Sequence, residues 1–258
     1  MRTYIRICYL VGTMCLLMHS RTLAGSITLF SQRDSSIFES DPNGNYGDGG
    51  LVIAEDYSAQ DRAAAYLWFN IGGPPEDILV RSAKLKIYCV VDNYSDYARV
   101  AALKDAWTEY GVTWNNTSKQ VHVESYVNTT DVVFGWVEAD VTKHVREWDG
   151  GGWTNNGLVL LARGNDGNQA AFWSREASSD RPRLVIDYIS IPQDVDASDG
   201  QFDDRVHICG DAVSGADCYR VNRDSQIVGS QVTETCFDDT GVDPGTTYSY
   251  TVRACWSS

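Results

Sequence analysis

Trp68, Lys86, Tyr88, Trp173 and Arg175 are the side chains of this 258-residue chain best suited to hold a sugar. An indole ring stacks on the apolar C–H face of a pyranose, and phenol, ammonium or guanidinium groups around it hydrogen-bond hydroxyls and carboxylates. Strand alternation selects these five. Ala65, Leu67 and Phe69 form one apolar face, which leaves Tyr66, Trp68 and Asn70 on the other. Ala83, Leu85, Ile87, Cys89 and Val91 do the same, leaving Lys84, Lys86 and Tyr88 opposite. Phe172 facing a core turns Trp173 and Arg175 away from it. If these strands share a sheet, the five residues form an aromatic platform with a cationic rim.

A second chemistry is written in Asp41-Pro42-Asn43-Gly44-Asn45. Asp41, Asn43 and Asn45 place oxygen donors at alternate positions, as the start of a calcium loop does. Tyr46 stands where an EF-hand needs glycine, and no bidentate glutamate closes the loop. The same residues also suit a plain chain reversal. No cofactor is required by this reading, and a structural calcium ion is the one inorganic ligand the segment invites.

Catalytic signatures are missing from the sequence. His122, His144 and His207 stand apart from one another, with no HExxH spacing, no Cys/His metal pattern and no GxSxG elbow. With 35 acids in the chain, a pair of carboxylates somewhere carries no information about glycoside hydrolysis. The chain reads as non-catalytic.

The elements that must position these residues are short strands. Apolar runs of four to eight residues alternate with Gly, Asn, Asp and Pro, and the alternation predicts strands over 26–30, 36–39, 50–55, 64–70, 83–91, 99–105, 123–127, 136–140, 157–163, 170–175 and 183–188. Helical spacing appears once, in Thr142 to Trp148, where Val141, Val145 and Trp148 share a face. Eleven such strands suit a two-sheet jelly-roll β-sandwich, and the chain as a whole reads as all-β. Cys89 falls on the core face, as a free buried thiol. The block WTEYGVTWNN, Trp107 to Asn116, sits mid-way along this array. Trp107 and Trp114 are expected to pin the turn between them, with Trp136 and Trp148 as further structural residues.

The first 24 residues read as a secretory signal: a basic start at Arg2 and Arg6, an apolar run from Ile7 to Met18, and Thr22-Leu23-Ala24 as a cleavage site. The run is shorter than the roughly 20 residues a membrane span requires. Removing Arg2, Arg6 and Arg21 leaves 18 Lys+Arg against 35 Asp+Glu, a net charge of −17. Such a surface repels nucleic acid and anionic lipid, so neither is an expected partner. A polyuronate would meet the same repulsion unless a local basic patch or a bridging cation reverses it.

Taken together, Asn45-Tyr46-Gly47 before Leu51-Val52-Ile53, Tyr66 to Asn70, Ser82 to Leu85, the Trp107 to Asn116 block, Asp140-Val141-Thr142 with Val145 and Trp148, Gly157-Leu158, and Phe172-Trp173-Ser174-Arg175-Glu176 ahead of Pro182-Arg183-Leu184 resemble the DNRLRE-type domain, also called carbohydrate-binding module family 96. The resemblance spans residues 25–189. It implies a secreted, non-catalytic jelly roll with a polysaccharide as partner, an acidic one such as alginate included. One departure stands out: Trp68 occupies a position where members often carry arginine.

Residues 193–258, after a linker at 190–192, are similar to a fibronectin type III domain through Asp204 to Ile208, Cys218 to Arg223 and Asp238 to Val252, with Tyr248 at the tyrosine corner. Gly210 takes the place of the usual core tryptophan, and the module reads as lacking its last strand, as if cut from a longer modular protein. In the register this resemblance implies, Cys209 faces Cys236 and Cys218 faces Cys255, all outward on neighbouring strands. The pairing would close loops of 27 and 37 residues in a disulfide-permissive compartment. Two functions follow as expectations: an extracellular module that binds a polysaccharide, or a structural or adhesive element of a modular cell-surface protein without glycan affinity.

Overall fold

The structure is a computed structural model that describes residues 25–55, 62–72, 78–93, 97–118, 120–128, 134–163 and 168–255. Residues 1–24, where a secretory signal is expected, and the terminal residues 256–258 lie outside the described residues. The chain divides into two compact units, one of Ser26–Pro74 and Val80–Asp187, the other built mainly on Tyr188–Ser258.

The first unit is an all-β sandwich. Its strands are β1 (Gly25–Phe30), β2 (Arg33–Phe38), β3 (Leu51–Glu55), β4 (Ala63–Trp68), β5 (Ile78–Asn93), β6 (Tyr97–Leu103), β7 (Val121–Asn128), β8 (Gly135–Asp140), β9 (Leu158–Arg163), β10 (Asn168–Phe172) and β11 (Arg183–Ser190), with helix α1 (Thr142–Asp149) between β8 and β9. Hydrogen bonding runs in the order β1-β11-β5-β10-β3-β4-β9-β6-β7, with β8 on β5 and β2 on β4. Among the described residues β3 and β4 pair at Ala54 with Ala63.

Alternation builds the core between the layers. Ala83, Leu85, Ile87 and Cys89 of β5 meet Ala65 and Leu67 of β4, Val100 of β6, Leu158 and Leu160 of β9, and Leu184 and Ile186 of β11. All of these are 0–1% exposed, at about 25 cal/mol of stabilisation for each Å² of apolar surface withdrawn from water. Cys89 is a buried thiol outside the two disulfides, as its parity requires. Helix α1 adds Val145 and Trp148 to this core along one face.

A second apolar cluster lies on the opposite side of β4. Tyr66, Ile37, Ala101, Leu103, Val112 and Val159 are buried there, with Trp107 and Trp114 packed against them. The 104–118 loop makes this cover: Trp107 Nε1 donates to the Asn156 carbonyl at 2.8 Å, its ring meets Tyr66 edge-on at 5.5 Å, and the Tyr66 hydroxyl bonds Thr117 Oγ1 at 2.9 Å. Tyr66 is therefore 1% exposed, although alternation points it away from the main core.

The second unit contains β12 (Asp196–Ala197), β13 (Val206–Cys209), β14 (Cys218–Arg223), β15 (Gln226–Val232), β16 (Cys236–Asp239) and β17 (Tyr250–Cys255). They form two three-stranded sheets, β12-β13-β16 and β15-β14-β17. Ile208, Val221 and Tyr250 are the buried centre of one apolar cluster and Ile189, Val213, Tyr219 and Ala254 of another. Each sheet carries one disulfide between directly opposed residues, Cys209 with Cys236 and Cys218 with Cys255. Cys218 is buried at 8% rather than turned to solvent. The Tyr248 hydroxyl accepts the Asp243 amide at 3.0 Å, the contact expected of a tyrosine corner. A Cβ on Gly210 would lie 3.1 Å from Val195, so the segment just before β12 occupies the space beside it.

Candidate functional site

Two aromatic rings meet on the outer face of the layer containing β5, and a third aromatic residue, Trp173, is bonded to that strand through its backbone. The β5–β8 ladder sets Tyr88 opposite Trp136, Lys86 opposite Glu138 and Lys84 opposite Asp140. Because Leu85, Ile87, Val137 and Ala139 are inward, these partners all point out. The rings of Tyr88 and Trp136 meet edge-on at 5.5 Å. Just past the end of β10, the Trp173 amide donates to the Tyr88 carbonyl at 3.0 Å, which fixes Trp173 beside the pair; its side chain is 42% exposed. The Arg183 guanidinium lies 4.0 Å over the Trp136 ring, in cation–π contact.

The rim charges are coupled through one acid. Glu138 accepts Lys86 Nζ at 2.5 Å and Lys84 Nζ at 3.0 Å. These two ammonium groups hold its carboxyl below the usual range, the hydrogen bond from Lys86 being the largest cause. Its carboxylate in turn raises the Lys84 ammonium. The face thus offers flat aromatic surface together with three cationic hydrogen-bond donors, the combination that sugar hydroxyls and carboxylates engage.

Of the five residues selected by alternation, the structure brings Lys86, Tyr88 and Trp173 together on this face and sets Trp68 and Arg175 apart. Trp68 belongs to β4 in the second layer. Its Nε1 donates to the Asn155 carbonyl at 3.1 Å, and Arg33 of β2 lies 4.1 Å over its ring. Arginine thus covers Trp68 from a neighbouring strand. The expectation that strand alternation continues to Arg175 fails because β10 ends at Phe172, and Arg175 sits in the turn that follows. Trp136 and Arg183, in turn, join the face although Trp136 was expected to be structural. Alternation with Val137 and Ala139 is the signal that points Trp136 outward.

Arg175 is instead the centre of a partly buried charge cluster. Its Nε and Nη2 grip Glu109 at 2.5 and 3.0 Å, and Nε also lies 2.9 Å from Glu176. Its backbone amide donates to Asp34 Oδ2 at 2.8 Å, while the Asp34 amide donates to Glu109 Oε1 at 3.0 Å. Burial, with Glu176 and Glu109 beside it, pushes the Asp34 carboxyl up to about 7 against the pull of the Arg175 amide.

The Asp41, Asn43 and Asn45 side chains fold their own loop. Asp41 Oδ2 accepts the Tyr46 hydroxyl at 2.7 Å, Asn43 Oδ1 accepts Asn115 Nδ2 at 3.0 Å, and Asn45 Oδ1 accepts the Gly47 amide at 3.3 Å. Asn45 Nδ2 reaches the carbonyls of Glu109 and Val112 at 2.8 and 2.9 Å, tying this reversal to the loop that covers Tyr66. The arrangement is that of a hydrogen-bonded turn.

Tyr88, Trp136, Lys86 and Lys84 stand on the outer face of one layer of an all-β sandwich. The chain belongs to carbohydrate-binding module family 96, whose sequence profile matches residues 26–188. Among curated proteins, none matches. Among solved structures, the chain is similar to the crystal structure of the Spr0440 glycoside hydrolase domain, Endo-D from Streptococcus pneumoniae R6, at 10% identity and a TM-score of 0.21. That match covers 90% of this chain and 34% of the other, so the chain spans about a third of its length. No described helix is long and apolar enough to cross a membrane.

Proposed function

We propose that this chain is an exported, non-catalytic module that holds a polysaccharide on the face formed by Trp173, Tyr88 and Trp136, with Arg183, Lys86 and Lys84 as its polar rim. What supports this reading is the Tyr88–Trp136 ring pair, with the Arg183 guanidinium over Trp136 and the half-exposed Trp173 bonded through its backbone to Tyr88. A uronic-acid-rich chain such as alginate is the ligand class that suits Arg183 and the two lysines, since planar guanidinium donors match carboxylates. This basic group is local: the chain as a whole is strongly acidic, and Glu138 already neutralises part of the rim. Two disulfides are in keeping with export. The second unit, with its disulfide in each sheet and its Tyr248 corner, serves in this reading as a fibronectin-like spacer.

Affinity electrophoresis of the full chain through gels containing alginate, a sulfated polysaccharide or a neutral glucan tests the proposal. Retardation by the acidic polymers that disappears in Trp173→Ala is the expected result. Migration unchanged in every gel would leave the chain as a structural element without glycan affinity.

A further inference from the structure

Asp34, Glu109 and Glu176 come from three distant parts of the chain and place one carboxylate oxygen each within 4.8 Å of one another. Asp34 stands on β2, Glu109 in the loop after β6, and Glu176 in the turn after β10. Asp34 is wholly buried, Glu109 is 7% exposed, and Glu176 opens to solvent. The Arg175 guanidinium contacts two of the three carboxylates, Glu109 and Glu176, and the Asp34 side chain instead accepts the Arg175 backbone amide. Asp34 Oδ1 is buried and has no hydrogen-bond partner among the described residues. A carboxylate oxygen withdrawn from water without a partner is costly, and the cost falls where a cation meets it.

We propose that Asp34, Glu109 and Glu176 form a calcium site, with Asp34 Oδ1 and the Glu176 carboxylate as ligands, Glu109 shared between the ion and Arg175, and Arg175 the fixed counter-charge. The all-oxygen, all-carboxylate donor set selects a hard divalent cation over zinc or copper. Calcium tolerates irregular geometry and water in its remaining positions, as an entry from the Glu176 side provides. The ion would tie β2 to the two loops that carry Glu109 and Glu176. The site is distinct from the Asp41-Asn43-Asn45 turn, whose side-chain oxygens already hold hydrogen bonds.

The test is calorimetric titration of the full chain, stripped with chelator, with calcium chloride, beside thermal melting with calcium and with chelator. Binding heat and a higher melting temperature in calcium are expected. Glu176→Gln, at a solvent-open position, should weaken calcium at least about tenfold while melting like wild type in chelator. Asp34→Asn should abolish the calcium-dependent rise in melting temperature, and Asp41→Asn should leave it intact. Absence of calcium heat in the wild type overturns the proposal, as does a calcium affinity unmoved by both Glu176→Gln and Asp34→Asn. A wild type that shows no calcium heat while Asp34→Asn melts higher in chelator would assign the buried carboxyl to a proton.

Discussion

The backbone amide of Trp173 donates to the carbonyl of Tyr88 at 3.0 Å. One hydrogen bond thereby continues the β5–β10 ladder by a residue and sets the half-exposed Trp173 across from Tyr88, whose ring is packed on Trp136. The contact is made by backbone, so either side chain can be removed without breaking it.

Trp173→Ala should therefore cost ligand affinity and little else. A stacked ring contributes about 1 kcal/mol beyond its buried area, so a loss of about tenfold in affinity is expected with an unchanged melting temperature. Trp68→Ala should do the reverse, because its ring carries Arg33 and its Nε1 holds the Asn155 carbonyl. Isothermal titration with an acidic oligosaccharide, beside thermal melting, separates the two.

Glu138 masks the rim. Its carboxyl is held below the usual range by Lys86 and Lys84, so its contacts with them stabilise the fold at and above that range and fade as pH falls through the lowered value. Protonation frees both lysines for ligand. Affinity for a sulfated polysaccharide, which keeps its charge in acid, should rise as pH drops below the carboxylate range. Glu138→Gln should bind more tightly at neutral pH and show a flatter pH profile, and an unaltered profile would remove Lys84 and Lys86 from the site.

Arg175→Ala should lower stability without touching glycan affinity. It leaves Glu109 buried with its bidentate partner gone, a change worth about 3 kcal/mol. Arg175→Lys should not restore it, because an ammonium cannot reproduce the fork. Chemical denaturation with a fixed m-value, beside affinity electrophoresis, checks both halves.

Reduction should act on the second unit alone. The 27- and 37-residue separations each correspond to about 3.5–4 kcal/mol of lost chain entropy in the unfolded state. Removing both in Cys209→Ser with Cys218→Ser should unfold that unit at a temperature where the sandwich and its tryptophan signal persist. Cys89 should react with a thiol reagent only after the sandwich itself unfolds.

Much of this was legible from local pattern. The period-two reading of β5 places Lys84, Lys86 and Tyr88 outward and Cys89 inward, as the structure has them, because a sheet with one buried face imposes that alternation directly. Where the reading failed, the determining contacts are far apart in sequence. Outward alternation at Trp68 and Tyr66 holds on β4, yet Arg33 covers the first and the 104–118 loop the second, and no spacing within the strand signals either. Arg175 left its expected face because β10 stops at Phe172 and Glu109, 66 residues upstream, captures the guanidinium. The disulfides were placed through a whole-domain register rather than local spacing, which is why residues 27 and 37 apart could be matched.

The β5–β8 ladder also fixes the reach of the face. Lys84 and Tyr88 are four residues apart on one strand, about 13 Å, and Trp136 stands directly across from Tyr88. In the proposed reading a patch this short would hold a few sugar units, so affinity for oligosaccharides should level off once those units are supplied. A long polymer presents the same patch with many equivalent registers, and its apparent affinity keeps growing with the number of starting positions. Anchorage that lasts then depends on valency: several copies engaging one strand gain by effective concentration what a single face this narrow does not provide.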